Sequence, residues 1–436
     1  MNIFADNFVE TPYWWEAAPP EDGSPHSEIR DVDYLVIGAG LAGLNAAITL
    51  AKAGADVAVM DARRIGEAAS TRNGGQIRSE AKVAFSKLKE MVGEQSAKGV
   101  LADFEAGRSF LPDRIRELGI DCDYEWGGFF FGACTKRDHR MQIARHEASK
   151  ASGRIIGEVL SPAELKREVK TDYYHGGYLY TDGGQLHPAR YHLGLRRAAV
   201  KFGARLFSQC PVESITRTGN GFIVRCNGRE IKARQVIMTT NGYTDKAGSW
   251  IARRLIPARS YMIATEELPD GMAESLIPGG NPVADTKRVL YYYRTSPDKK
   301  RILFGGRASF RNTGVRESAK RQHRFMNEVF PELANVKITH AWFGNFALAF
   351  DFLPHIGVHD GIHYACACNG SGVMMLSYLG HAAAMRAMRD QTIIKGLDKV
   401  PFQTRPGYFG NPWFLPIAGF SYRMRDRWNR WTDTDA

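Results

Sequence analysis

The chain of 436 residues is longer than one hydrophobic core usually fills, so two domains are expected. Hydrophobic residues at 44% and charged residues at 24% are the shares of a folded soluble enzyme, and 44 glycines imply many tight turns and close backbone approaches. The net charge of +11 suits an anionic membrane or small molecule, yet the basic residues are spread along the chain and no nucleic-acid partner is expected. The first ten residues have no basic or apolar signal region, and no segment reads as membrane-spanning. Six cysteines, Cys122, Cys134, Cys210, Cys226, Cys366 and Cys368, are too sparse for a disulfide framework and lack metal-ligand spacing. No metal is expected, and a reducing cytoplasm fits.

In chain order, residues 11–30 carry Pro12, Pro19, Pro20 and Pro25 and read as an irregular arm whose Tyr13-Trp14-Trp15 needs a surface to pack on. An apolar run over 33–37, a helix over 44–53 stopped by Gly54, and a second run over 55–60 form a βαβ unit. Helical spacing recurs over 85–120, with Gly119 as a stop, and a strand follows over 122–133 with a bend at Gly127-Gly128. Pro188 at its first turn and Gly203 beyond its end frame a helix over 188–202. Asn227-Gly228 between two strand-like runs predicts a hairpin with a type I′ turn, followed by a buried strand over 235–240. Residues 255–310 read as antiparallel sheet, and the tail over 422–431 as a basic surface helix with interleaved aromatics.

The chemistry lies first in Gly38-Ala39-Gly40-Leu41-Ala42-Gly43, which follows a strand and opens a helix. In that context Gly38 allows a tight turn, Gly40 lets the backbone approach a pyrophosphate, and Gly43 permits close helix–strand packing. Asp61 ends the second strand, where a carboxylate accepts hydrogen bonds from a ribose. The polar loop Ser70-Thr71-Arg72-Asn73-Gly74-Gly75-Gln76 is placed to meet the far part of an extended dinucleotide. The fingerprint alone admits FAD or NAD, and the later loop favours FAD.

With these motifs the chain resembles the D-amino acid oxidase-like FAD oxidoreductases nearly end to end, particularly the branch acting on gamma-glutamylated polyamines. Further stretches carrying the resemblance are Gly184-Gln185-Leu186-His187-Pro188, Asn241-Gly242-Tyr243, Tyr292-Tyr293-Arg294, Trp342-Phe343-Gly344-Asn345-Phe346 and Pro354-His355-Ile356-Gly357. The resemblance implies an α/β fold, α+β overall, in which a Rossmann-like FAD domain is interrupted by a substrate domain with a large antiparallel sheet. The expected divisions are an arm over 1–30, an FAD domain over 31–118, 188–246 and 343–395, a substrate domain over 119–187 and 247–342, and a tail over 396–436. It also implies that Ala62 and Arg63 lie at the adenosine edge beside Asp61, that Val212 holds the adenine through its backbone, and that Asn241, Gly242 and Gly344 line the cofactor. Gly370-Ser371-Gly372-Val373-Met374, before a helix from about Ser377, matches the family turn that faces the flavin. Ser371 stands where relatives commonly carry His.

The implied reaction is oxidation of a carbon–nitrogen bond by hydride transfer to FAD, with O2 or a carrier as acceptor and no strong protein base. Arg78 falls where sarcosine-type oxidases place a carboxylate-binding arginine, and Arg78, Arg294 and Arg307 are candidates for gripping an anionic group on the substrate amine. Those oxidases tether flavin to a cysteine near the position of Asn345 here, so non-covalent FAD is expected. His187 and His355, beside prolines, read as structural. Rival readings are an amine dehydrogenase or FAD-binding subunit passing electrons to a quinone or partner, with the tail on a membrane, and an NAD-dependent dehydrogenase.

Overall fold

The computed structural model describes residues 2–78, 81–151, 156–306 and 313–433. Its first sheet grows from the βαβ unit. Val32–Ile37 and Val57–Met60 are short and almost wholly buried, so they can only be central parallel strands covered on both faces. Arg205–Phe207 extends one side in parallel, Arg229–Met238 the other, and the hairpin strands Gly221–Cys226 and Val212–Thr218 continue from there antiparallel. Asn227 and Gly228 carry the two positive φ values, 51° and 72°, of the expected turn. Ile362–Cys366 joins Arg229–Met238 in parallel and His355–His359 folds back on it. The helices Leu41–Lys52, Glu94–Leu118, Pro188–Lys201 and Gly372–Ala387 pack their apolar residues into one core against this sheet.

The second sheet has nine strands, in the order Phe4–Val9, Ile338–Ala349, Leu255–Thr265, Ile302–Gly306, Tyr291–Thr295, Val283–Asp285, Phe129–Gly132, Gly177–Tyr180 and Gly157–Leu160. Most neighbours run antiparallel. Strand alternation divides its residues: Tyr291, Tyr293 and Phe304 enter a core with the helix Val315–Val329, whereas Tyr292 turns to a large cavity between the sheets.

Several expectations are amended. Residues 4–9, within the arm, form a strand parallel to Ile338–Ala349. That long strand also runs unbroken through the domain boundary expected between 342 and 343. The expected irregular path holds over much of 11–30, where Trp14 is fully buried and donates its indole N–H to the Asn73 carbonyl at 2.9 Å. The last large helix of the core begins at Gly372 rather than near Ser377, because Gly370 at φ +88° completes the reversal and frees the next residues to be helical. Cys210 and Cys226 form a disulfide, which the sparse cysteine count did not suggest. The hairpin brings them together, since Cys226 pairs with Val212 two residues beyond Cys210. Cys122, Cys366 and Cys368 are buried thiols, and Cys134 is buried as well.

Candidate active site

One cavity of about 1460 Å³ runs from the fingerprint turn to the nine-stranded sheet. At its first end Gly38 adopts φ +98°, and a Cβ on Gly43 would sit 1.8 Å from the Gly38 carbonyl oxygen. The turn and the helix start can therefore close up only with glycine at 43, which brings the first-turn amides of Leu41–Lys52 onto the cavity. Asp61 is fixed by Ala39 N–H (2.8 Å) on one carboxylate oxygen and Arg63 N–H (2.9 Å) on the other. Each oxygen keeps a further lone pair for a hydroxyl. Burial raises its pKa above the ordinary value, and the two backbone donors oppose that shift. Ala62, Arg63 and Val212 line the same end, with the Arg63 guanidinium 5.5 Å from the Tyr243 ring.

The polar loop that follows spends most of its side chains on its own shape. Asn73 accepts from Gly75 N–H (2.8 Å) and donates to Ser70 O (2.9 Å). Arg72 donates to the carbonyls of Glu67 (2.6 Å) and Phe343 (3.2 Å) and stacks on Trp15 at 4.4 Å. Gln76 reaches the carbonyls of Val283 and Tyr293, both at 3.2 Å. Thr71 donates to Gly66 O and is turned from the cavity. Ser70 alone among these side chains lies against the fingerprint helix, its Oγ accepting from Leu41 N–H at 3.1 Å.

On the opposite wall Asn241, at φ +46°, accepts from Ala367 N–H (2.9 Å) and so holds the chain just before the glycine turn. Gly370, Ser371, Gly372 and Val373 line the cavity, and the first-turn amides of Gly372–Ala387 open onto it. Lys82 donates to the Asn369 carbonyl and stands beside Gly370, bringing a cation to this turn that sequence reasoning missed. Gly344 lines the cavity as expected. Thr71, Gly75, Gly43, Gly242 and Met374 do not line it; they shape the walls from behind.

The far end is an aromatic chamber. Arg78, on the strand Gln76–Arg78, has its guanidinium 4.3 Å from the Tyr180 ring, 4.8 Å from Phe131 and 5.5 Å from Phe129. Phe129 pairs with Tyr180 and Phe131 with Tyr178 across two strands, so four rings spaced by two residues share one face. That period-two signal was present in the sequence and was not read as a pocket wall. The helix Lys136–Ala151 adds Met141, Gln142, Arg145 and His146, and Leu415, Ala418 and Tyr422 of the C-terminal helix Leu415–Trp431, with Phe414 just before it, roof the chamber. The acids here are engaged: Asp138 accepts from Thr286 Oγ1 at 2.7 Å, and buried Asp285 pairs with Lys287 at 2.8 Å. His146 contacts the Tyr178 hydroxyl at 3.3 Å.

The other expected candidates lie elsewhere. Arg294 is buried behind the wall, donating to the carbonyls of Leu186 (2.9 Å) and Thr295 (3.1 Å) beneath the Trp14 ring at 5.6 Å. It does not reach the cavity. Arg307 lies outside the described residues. His187 caps the helix Pro188–Lys201 by accepting from Arg190 N–H at 3.2 Å, and His355 contacts Asp351 at 3.0 Å while stacking on Phe402, so both are structural.

The residues present fit an extended FAD: two helix starts converge on the cavity, a carboxylate stands at one end, and the glycine contact admits no side chain. Comparison with known proteins agrees. The model of the FAD dependent oxidoreductase family, DAO, matches residues 33–386. The gamma-glutamylputrescine oxidoreductase of Escherichia coli is 32% identical over 407 residues, which are 91% of this chain and 93% of that protein. A probable oxidoreductase, OrdL, of Haemophilus influenzae is 32% identical over 86% of this chain and 88% of its own length. Among solved structures, glycine oxidase from Geobacillus kaustophilus superposes with a TM-score of 0.70 at 18% identity, covering 86% of this chain and 99% of that one. L-proline dehydrogenase from P. horikoshii gives 0.69 at 19% identity, covering 86% and 98%.

Proposed function

Because this chain belongs to the DAO family of FAD-dependent oxidoreductases acting on amines or amino acids, we propose that it oxidises the carbon–nitrogen bond of an amine that also carries an anionic group. The observation that carries this reading is the continuity of one cavity from the dinucleotide cradle to an aromatic chamber containing Arg78. Bound non-covalently, FAD supplies a hydride acceptor for the carbon beside the amine nitrogen. The chain's own part is to bind and orient. The Arg78 fork holds a carboxylate or comparable anion, and the low-polarity rings around it strengthen that pairing by excluding water. The same rings favour the neutral amine, the form able to give up a hydride. Asp138 and Asp285 are occupied by their partners, which suits a reaction needing no carboxylate base. The amine becomes an imine, which water hydrolyses to an aldehyde or keto acid with release of an amine or ammonia.

Purified protein titrated anaerobically with gamma-glutamyl polyamines, N-methylated amino acids, free amino acids and neutral amines tests the reading. Bleaching of the flavin band by anionic amines alone is expected. Bleaching by neutral amines equally well overturns the anion requirement, and a flavin untouched by every class supports the rival reading as a carrier subunit. Acid precipitation is expected to release the yellow colour to the supernatant, as non-covalent FAD requires. A second reading, a dehydrogenase passing electrons to a quinone, draws on the outward face of the C-terminal helix.

A further inference from the structure

The helix Leu415–Trp431 has two faces with opposite duties. Its inner face is fastened to the protein. Leu415, Ala418 and Tyr422 line the cavity, Asp426 accepts from Val289 N–H at 3.2 Å, and Asp433 just beyond the helix accepts from Lys136 N–H at 2.6 Å. The outer face carries large apolar side chains spaced three or four residues apart: Ile417 is 68% exposed, Phe420 62%, Met424 48%, Trp428 62% and Trp431 77%. Trp413 and Phe409, just before the helix, are exposed as well. Single exposed apolar residues need no explanation, but a continuous stripe of this kind marks an interaction surface.

Charge says what covers it. The helix holds Arg423, Arg425, Arg427 and Arg430 against one acid, Asp426. Asp426 faces inward, toward Arg288, whereas Arg425 and Arg427 are exposed beside the stripe. An outward face of Trp, Phe, Met and Ile flanked by arginines, with no carboxylate among its described exposed residues, complements a surface that is apolar beneath and negative at its rim. We propose that this helix lies in the headgroup–acyl boundary of an anionic lipid bilayer. Such helices bind by burying an apolar face while basic residues meet anionic lipid, and tryptophan favours that depth. A second copy of the chain fits less well, because apposing two stripes brings both rows of arginine together. The helix lies on the bilayer rather than crossing it, since no helix among the described residues is long and apolar enough to span one. Its inner face roofs the chamber, so docking sets that roof against the phase that dissolves quinones.

Co-sedimentation of the full chain with extruded vesicles tests this, comparing phosphatidylcholine alone with an equimolar mixture of phosphatidylcholine and phosphatidylglycerol. The holoprotein is expected to pellet with the anionic vesicles, to do so at least tenfold less with neutral ones, and to be released by salt. Brominated lipid in the anionic vesicles is expected to quench tryptophan emission. The F420S/W428S variant, altered only on the outer face, is expected to lose at least tenfold in partitioning at unchanged FAD content. Protein that stays in the supernatant at low salt overturns the proposal, and a dimer detected by light scattering would then assign the stripe to a second copy. Wild-type pelleting without quenching, or pelleting that the variant retains in full, overturns it too, because another basic surface would then be responsible.

Discussion

Arg78 and Arg294 both stood as substrate-anion candidates, and the structure separates them through what covers each. Arg294 shares the cavity-facing side of its strand with Tyr292, two residues away, but Trp14 from the arm and the Leu186 carbonyl close over it. Strand alternation was legible in the sequence; a cover contributed by a residue 280 positions earlier was not. Arg78 keeps its place on the cavity. Replacing it by alanine removes a charge-assisted contact worth roughly 1.5–3 kcal/mol, so KM for an anionic amine should rise about 10- to 100-fold with kcat little changed. Arg78→Lys should recover only part of this, since an ammonium cannot offer the parallel donors of a guanidinium. Steady-state kinetics of the three proteins on one anionic and one neutral amine checks it. Equal losses on both substrates would show that Arg78 shapes the chamber without reading charge.

At the scale of elements, local chemistry was the legible part. The hairpin at Asn227-Gly228, the Gly119 stop at φ +60° and the proline-started helix at Pro188 each follow from residues in direct sequence contact. The Rossmann turn belongs with them, and it fails in a defined way: Gly43→Ala places a methyl 1.8 Å from a backbone oxygen that has no room to yield. The variant is expected to lose bound flavin, or to fold poorly, by absorbance ratio and thermal melt; wild-type flavin content would contradict this account of the helix start. What the sequence could not display is the latch between distant elements. Asp433 caps the helix Lys136–Ala151 through Lys136 N–H and Arg137 N–H, and Asp426 holds Val289 N–H, so the C-terminal helix is tied to two parts of the chamber it roofs. Losing one such cap costs about 0.5–2 kcal/mol. The D426A/D433A variant should therefore be cut by protease in residues 400–436 faster than the wild type. Cleavage at the wild-type rate would mean that apolar contacts alone hold the helix.

Across the whole molecule, the parallel sheet of the βαβ unit and a separate antiparallel sheet were legible in the sequence, whereas the pairing that brings the alternating aromatics of Phe129–Gly132 and Gly177–Tyr180 onto one chamber wall, and the small three-stranded sheet that carries Arg78, depended on long-range register. The same burial that builds these layers sets how the protein responds to acid. His187, His340 and His363 are buried, and loss of hydration pushes their pKa values from 6.5 down to about 3, 4 and 4 respectively. Arg190 and Arg294 push His187 further the same way, Arg301 acts so on His340, and Arg386 on His363. Above pH 6.5 these rings are neutral folded or unfolded and add no pH dependence. Below it the unfolded chain takes up protons that the folded one refuses, so stability falls as pH drops, until the folded pKa values are reached. Asp61 and Asp103, raised by burial, act oppositely, because a folded state that binds protons more readily gains from acid. Their influence begins at their raised folded-state pKa values, above the ordinary carboxylate range, so between about pH 6.5 and 5 they offset part of the histidine effect. Melting temperature should accordingly fall by several degrees across that interval while staying nearly flat from about pH 7 to 8, as read by scanning calorimetry of the holoprotein. His363→Gln, which removes one titrating ring, should make the slope shallower even where it lowers the melting temperature itself. A slope identical to the wild type would mean that His363 takes up its proton in the folded state, contrary to its burial.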